Sequence, residues 1–287
     1  MTIRNPIEWS ADQVKLAAHI IEDASHTIYH PGENIEALRP AVHRLETSDL
    51  KEALTKGFAD FGAYRSDVVF LCLLYPIIGV VIERAAFGYD MMPLLFPIAS
   101  GFSLIGPFVA TGLYEMSRRR ELGQEISWAD AFGVFRSPAF GAISVLGLGL
   151  IATYVVWLIA AENIYLMTLG PRPPASFDAF IHAVLTTPAG WTMVGIGIAV
   201  GFLFAVTAMV ISVVAFPLLL DRNVGLDTAV WTSVRAVAMN VRPMAMWGAI
   251  VTAGLILGSI PLFLGLVIVL PVLGHATWHL YRKLIPH

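Results

Sequence analysis

Five stretches of this chain carry no Asp, Glu, Lys, Arg or His: Val68 to Ile82, Met91 to Tyr114, Ala139 to Ala161, Ala189 to Leu220 and Pro243 to Gly274. A hydrocarbon core about 30 Å thick takes roughly 20 helical residues at 1.5 Å each, so the second and third stretches each predict one membrane-spanning helix. The first reaches span length by running on to about Ala86, with Glu83 and Arg84 among the headgroups. The fourth fits one tilted helix between Pro188 and Pro217. The fifth has 32 residues and holds Gly258-Ser259-Ile260-Pro261, a turn and helix-break signal, so it predicts a tight hairpin of two helices. The expectation is an all-α polytopic transmembrane bundle with six spans, at about 67–87, 91–115, 138–162, 189–217, 243–258 and 260–281.

Ahead of the spans lies a polar head, residues 1–66, with a different period. Ser10 and Gln13 form a capping box, and Val14, Ala17, Ile21, Ala24 and Ile28 mark one face of a helix that Pro31-Gly32 ends. A second helix is expected from Ser48-Asp49, with Leu50, Leu54, Phe58 and Phe61 on its apolar side. Similar amphipathic segments precede spans three and five, at Ser127 to Arg136 and Asp227 to Asn240, suggesting three units of interfacial helix, span, turn and span. A further interfacial helix is expected from Ser176 to Thr187. No apolar run in Met1 to Asp67 resembles a signal-peptide core, so the first span is expected to act as the insertion signal.

Composition agrees with this division. The chain is 57% hydrophobic and 14% charged, against about 25% charged in a soluble domain. Sixteen of the 18 Lys and Arg residues fall in the head, the loops after spans two and four, and the tail, leaving Arg84 and Arg172 on the other side. Basic residues collect in cytoplasmic loops, so both termini are expected inside. A net charge of -3 leaves no basic surface for nucleic acid, and the single Cys72 excludes a disulfide framework.

The spans hold little chemistry, since none carries a charge at mid-depth. Gly197 and Gly201, like Gly254 and Gly258, have the i,i+4 spacing that lets helices approach closely, and they are expected in helix packing. Pro93, Pro97 and Pro107 in span two fit either a packing kink or the broken helix of a transport site. His275 and His279, at i and i+4 on the last helix, are the candidate metal or haem ligands, against a plainer reading as hydrogen-bonded histidines. Glu115, Arg118, Arg119, Asp221 and Arg222 are expected to meet in a polar cluster at the inner face, where the arginine run also suits anionic lipid heads. No nucleophile elbow, Walker loop, paired catalytic carboxylates or zinc-protease motif occurs, so no catalytic residue is assigned.

Tyr75-Pro-Ile-Ile-Gly79, Pro93-Leu-Leu-Phe-Pro97, Gly112-Leu-Tyr-Glu-Met-Ser-Arg-Arg-Arg-Glu121, Phe216-Pro-Leu-Leu-Leu-Asp-Arg222 and Gly274-His-Ala-Thr-Trp-His-Leu-Tyr-Arg282 resemble a bacterial integral-membrane family catalogued as domain of unknown function 2189. The resemblance runs from about Asp49 to the C-terminus. It implies a bacterial inner-membrane protein, and the cytochrome c oxidase label on some members implies a place near a respiratory complex. The function expected is a non-catalytic scaffold, assembly factor or accessory subunit, in contact with the bilayer and with other membrane subunits or copies of itself, with no cofactor of its own. The alternatives are a transporter or channel for a small or lipid-like solute, and a haem- or metal-binding redox protein using His275 and His279.

Overall fold

A computed structural model describes residues 40–63, 92–124, 128–170, 174–261 and 263–286. The described residues form helices and short connections without strands. Among the described residues, four helical runs are long and apolar enough to cross a membrane: Met92–Glu121, Phe140–Thr168, Pro188–Asp221 and Val241–Ser259. The expected first span, and the head before residue 40, lie outside the described residues.

Helix α1 covers 47–63. It starts where the Asp49 carboxylate accepts the Glu46 N–H at 2.8 Å, one half of a capping box. Its buried face overlaps the expected one, with Leu50 buried and Leu54 and Phe61 packed half-buried beside it, but is rotated away from Phe58. Leu50, Ala53, Gly57 and Asp60 face the protein, while Phe58 is 58% exposed. The reason is close approach: a Cβ on Gly57 would stand 2.7 Å from both Ala276 Cβ and Val272 O, so the small residues of α1 set the contact line.

The second span is broken into α2 (Leu95–Gly101), a 3-10 turn (Phe102–Ile105), α3 (Gly106–Val109) and α4 (Thr111–Glu121). Proline cannot donate to the helical ladder. Side chains of the neighbouring span accept the irregularity: Trp157 Nε1 donates to Pro97 O at 3.0 Å and Tyr154 Oη to Ile98 O at 3.2 Å. After α4 comes a 3-10 segment, Trp128–Arg136, where an amphipathic α-helix was expected. It packs against α4 so tightly that a Cβ on Gly112 would meet Ala131 O at 2.9 Å.

Helix α5, Phe140–Thr168, outruns the expected 138–162 because its polar end satisfies itself: Asn163 Nδ2 donates to Ile159 O and Thr168 Oγ1 to Ile164 O. The chain then turns at Gly170, φ 94°. Helix α6, Phe177–Thr186, starts at Ser176, where it was expected to begin, and the Ser176 hydroxyl caps it by accepting the Ala179 N–H at 3.1 Å. Helix α7 (Pro188–Ser212) and α8 (Ala215–Asp221) form the fourth run. At their junction Ser233, from α9 (Leu226–Met239), accepts the Val214 N–H and donates to Val210 O, so two of the backbone groups there are satisfied by one side chain.

The fifth apolar stretch folds as two helices, α10 (Val241–Ser259) and α11 (Leu266–Leu284), joined at residues 260–265. Gly258 and Gly265 stand backbone to backbone at the turn, and Phe263 takes φ 64°. Helix α11 starts later than expected. It is absent from the four span-like runs, and its second half carries His275, His279, Arg282 and Lys283.

Asn240, between α9 and α10, ties residues 40–46 to the bundle. Its Oδ1 accepts the Leu45 N–H at 2.7 Å, and its Nδ2 donates to His43 O at 3.1 Å and Ala236 O at 3.0 Å. Asn240→Leu leaves these buried backbone groups unpaired, a cost of about 1–3 kcal/mol. We expect the Leu45 amide to exchange with deuterium at least about tenfold faster in that variant. An unchanged rate would mean that the segment is held by other contacts.

Candidate functional site

A network of buried polar groups forms where α1, α4, α8 and α11 converge. Helix α4 turns about 100° per residue, so its consecutive charges point to different neighbours. Arg118 and Arg119, three and four residues on, fold back onto Glu115: Arg118 donates Nε at 2.8 Å and Nη2 at 3.2 Å, and Arg119 donates Nε at 2.7 Å. Arg120 points to α1, donating Nη1 to Asp60 Oδ1 at 2.8 Å and to Ala59 O at 2.9 Å. Glu121 faces α11, with its Oε2 3.0 Å from Arg282 Nε.

Asp60 is the hub. Its Oδ2 accepts Ser117 Oγ at 2.6 Å and His279 Nε2 at 2.8 Å, while Oδ1 holds Arg120. Burial works to raise the Asp60 carboxyl, but the hydrogen bonds from His279 and Ser117 outweigh it and hold it below the ordinary value of 3.8. Ser117 has one proton and gives it to Asp60, so the 2.8 Å contact between Ser117 Oγ and His275 Nδ1 assigns the donor proton to the imidazole. His275 Nε2 is then a bare acceptor, buried and without a hydrogen-bond partner among the described residues. On the far side of α11, Tyr281 Oη donates to Asp221 Oδ2 at 2.7 Å, and Arg282 Nη1 reaches the same oxygen at 3.1 Å.

Aspartate, serine and histidine thus lie together in an order unlike nucleophile activation. A hydrolytic triad places the imidazole between hydroxyl and carboxylate. Here the hydroxyl sits between imidazole and carboxylate, and Ser117 is 1% exposed. The arrangement pins three helices together.

The sequence-derived candidates fall as follows. His275 and His279 reach one network but not one point, His275 binding Ser117 and His279 binding Asp60. Among the described residues no group of three His, Cys, Asp or Glu side chains is placed to hold a metal ion. Glu115, Arg118, Arg119, Asp221 and Arg222 all line one cleft of about 390 Å³ between α4, the segment before α5 and the end of α8. Of the packing glycines, Gly201 abuts Trp157, Gly254 abuts Val269 and Gly258 abuts Leu266, whereas a Cβ on Gly197 would meet nothing within 4 Å. Sequence reasoning missed Asp60, Ser117 and Arg120 as one unit. Their signal, a carboxylate on an otherwise amphipathic helix, has nothing local to distinguish it from a solvated charge.

Residues 95–221 match the model of a family described as "Predicted integral membrane protein (DUF2189)". That segment contains Glu115, the arginine run and Asp221, and it agrees with the family resemblance read from the sequence. None of the curated proteins matches this chain, and none of the solved structures does.

Proposed function

We propose, with residues 95–221 matching this family of predicted integral membrane proteins, that the protein is a six-span component of the bacterial inner membrane with both termini cytoplasmic. It serves without catalysis of its own as a scaffold, assembly factor or accessory subunit of a larger membrane complex, a respiratory oxidase being the complex to which the family label points. The observation that carries this reading is the use of the buried charge. Asp60, Glu115 and Asp221 each spend their carboxylate oxygens on neighbouring helices or on their own helix. That bracing suits a rigid frame whose outer surface meets other apolar surfaces. Exposed residues such as Leu148, Val155, Ile198, Phe202 and Leu257 suit lipid or the spans of partner subunits.

The test is mass spectrometry of what remains bound when the tagged protein is extracted from its native membrane in mild detergent. Near-stoichiometric partner subunits are expected. Isolation of the chain alone, in several detergents, would remove the accessory role.

The broken second span favours a second reading, transport of a small or lipid-like solute, because interrupted helices expose backbone groups that can coordinate a solute. Pro97 and Ile98 offer such carbonyls, although Trp157 and Tyr154 occupy them in this state. On this reading, flux across liposomes changes in Pro97→Ala or Glu115→Gln; absence of flux over a broad solute panel counts against it.

A further inference from the structure

We propose that the cleft between α4, the start of α5 and the end of α8 is a binding site for a phosphate-bearing anion, supplied by an anionic lipid headgroup or by free phosphate. Four arginines from three separate segments line it: Arg118 and Arg119 of α4, Arg136 ahead of α5, and Arg222 after α8. Only two carboxylates, Glu115 and Asp221, share the lining, which leaves it with two positive charges in excess.

Both carboxylates are engaged at the wall of the cleft, and the excess falls to Arg136 and Arg222. Glu115 is 3% exposed and forms the back wall, its Oε2 held by Arg118 and its Oε1 shared by Arg118 and Arg119. Asp221 turns its Oδ2 toward Tyr281 and Arg282, with Arg222 Nε no closer than 3.8 Å. Arg222 instead spends one nitrogen on the Pro286 carbonyl. Arg136 stands exposed at the rim. Planar guanidinium groups held in place by a buried carboxylate are preorganised for phosphate oxygens, which they bind in pairs.

The remaining wall adds to this. Ser137, Pro138 and Ala139 lead directly into α5, a 29-residue helix whose positive dipole end therefore opens at the cleft. At about 390 Å³ the space falls within the range of small-ligand pockets, roughly 300–1,000 Å³. The arginine run is thus divided in function. Arg120 braces α1 through Asp60, while Arg118 and Arg119 face the anion.

The experiment uses the full chain in nanodiscs and has two arms. In the first, nanodiscs of phosphatidylcholine with phosphatidylglycerol are opened and the protein-bound lipid is counted by native mass spectrometry. In the second, inorganic phosphate is titrated calorimetrically into protein held in phosphatidylcholine alone. The variants are Arg136→Gln with Arg222→Gln, and the surface substitution Asn223→Asp, which adds a negative charge to the lining. Arg235→Gln is the control, since Arg235 stacks over Trp231 and does not line the cleft. We expect binding in one arm, weakened about tenfold by the double variant, less by Asn223→Asp, and unchanged by the control. The arm that responds identifies the source of the phosphate. Binding in neither arm, or an equal loss in Arg235→Gln, overturns the proposal.

Discussion

Replacing Asp60 with alanine is expected to cost about 3–5 kcal/mol, the range found when one partner of a buried charge pair is removed. Three donors converge on this carboxylate, from Ser117 and Arg120 on α4 and from His279 on α11. Alanine takes this acceptor from Ser117 and His279, both buried where water does not readily replace it, while Arg120 keeps the Ala59 carbonyl. Asp60→Asn keeps the shape and one acceptor oxygen but loses the charge, so it should fall between wild type and alanine. Thermal or denaturant unfolding of the purified protein in detergent reads both, and a loss below about 1 kcal/mol for Asp60→Ala would show that the network is incidental to stability.

The same residue sets a pH dependence with a defined sign. Its carboxyl is depressed in the folded protein, so the stabilisation is fully present above the ordinary value of 3.8 and is lost as pH falls through the lowered native value. Wild type and Asp60→Ala should therefore differ most near neutral pH and converge in strong acid.

What the sequence disclosed was whatever a local pattern encodes. Uncharged runs located the four described span-like helices, Gly258 to Pro261 announced the break between α10 and α11, and Ser176 announced the start of α6. Glu115, Arg118, Arg119, Asp221 and Arg222 were expected together, and they line one cleft. The hub was illegible for a physical reason. Asp60 meets Ser117 across 57 residues and His279 across 219, and no period in a single sequence reports such a meeting. The pattern was only partly right on α1, where Leu50, Leu54, Phe58 and Phe61 marked one face: Leu50 is buried and Leu54 and Phe61 half-buried, but Phe58 is exposed and the line through Ala53, Gly57 and Asp60 is buried instead. Hydrophobic size predicts burial only where the partner leaves room for it. At the segment 128–136, apolar spacing predicted an α-helix, and close packing on α4 accompanies a tighter 3-10 course.

Room is the issue at Gly57, and two glycines in α1 make it measurable. Gly57→Ala would set a Cβ 2.7 Å from Val272 O and 2.8 Å from Ala276 N, both backbone atoms that no rotamer change can move aside. The helices must separate, at a cost of about 2–3 kcal/mol for overpacking. Five residues further along, a Cβ on Gly62 meets nothing within 4 Å. Gly62→Ala should therefore stabilise the protein by up to about 1 kcal/mol, because glycine is a poor helix former. Opposite signs for the same substitution in one helix are the expected result, and equal signs would deny the close contact between α1 and α11. The separation also reaches the hub, since Asp60 lies one turn from Gly57 on the same face and holds His279 at 2.8 Å. Asp60→Ala made in the Gly57→Ala background should then cost less than it does alone, by about 1 kcal/mol or more, because the contact it removes has already been stretched.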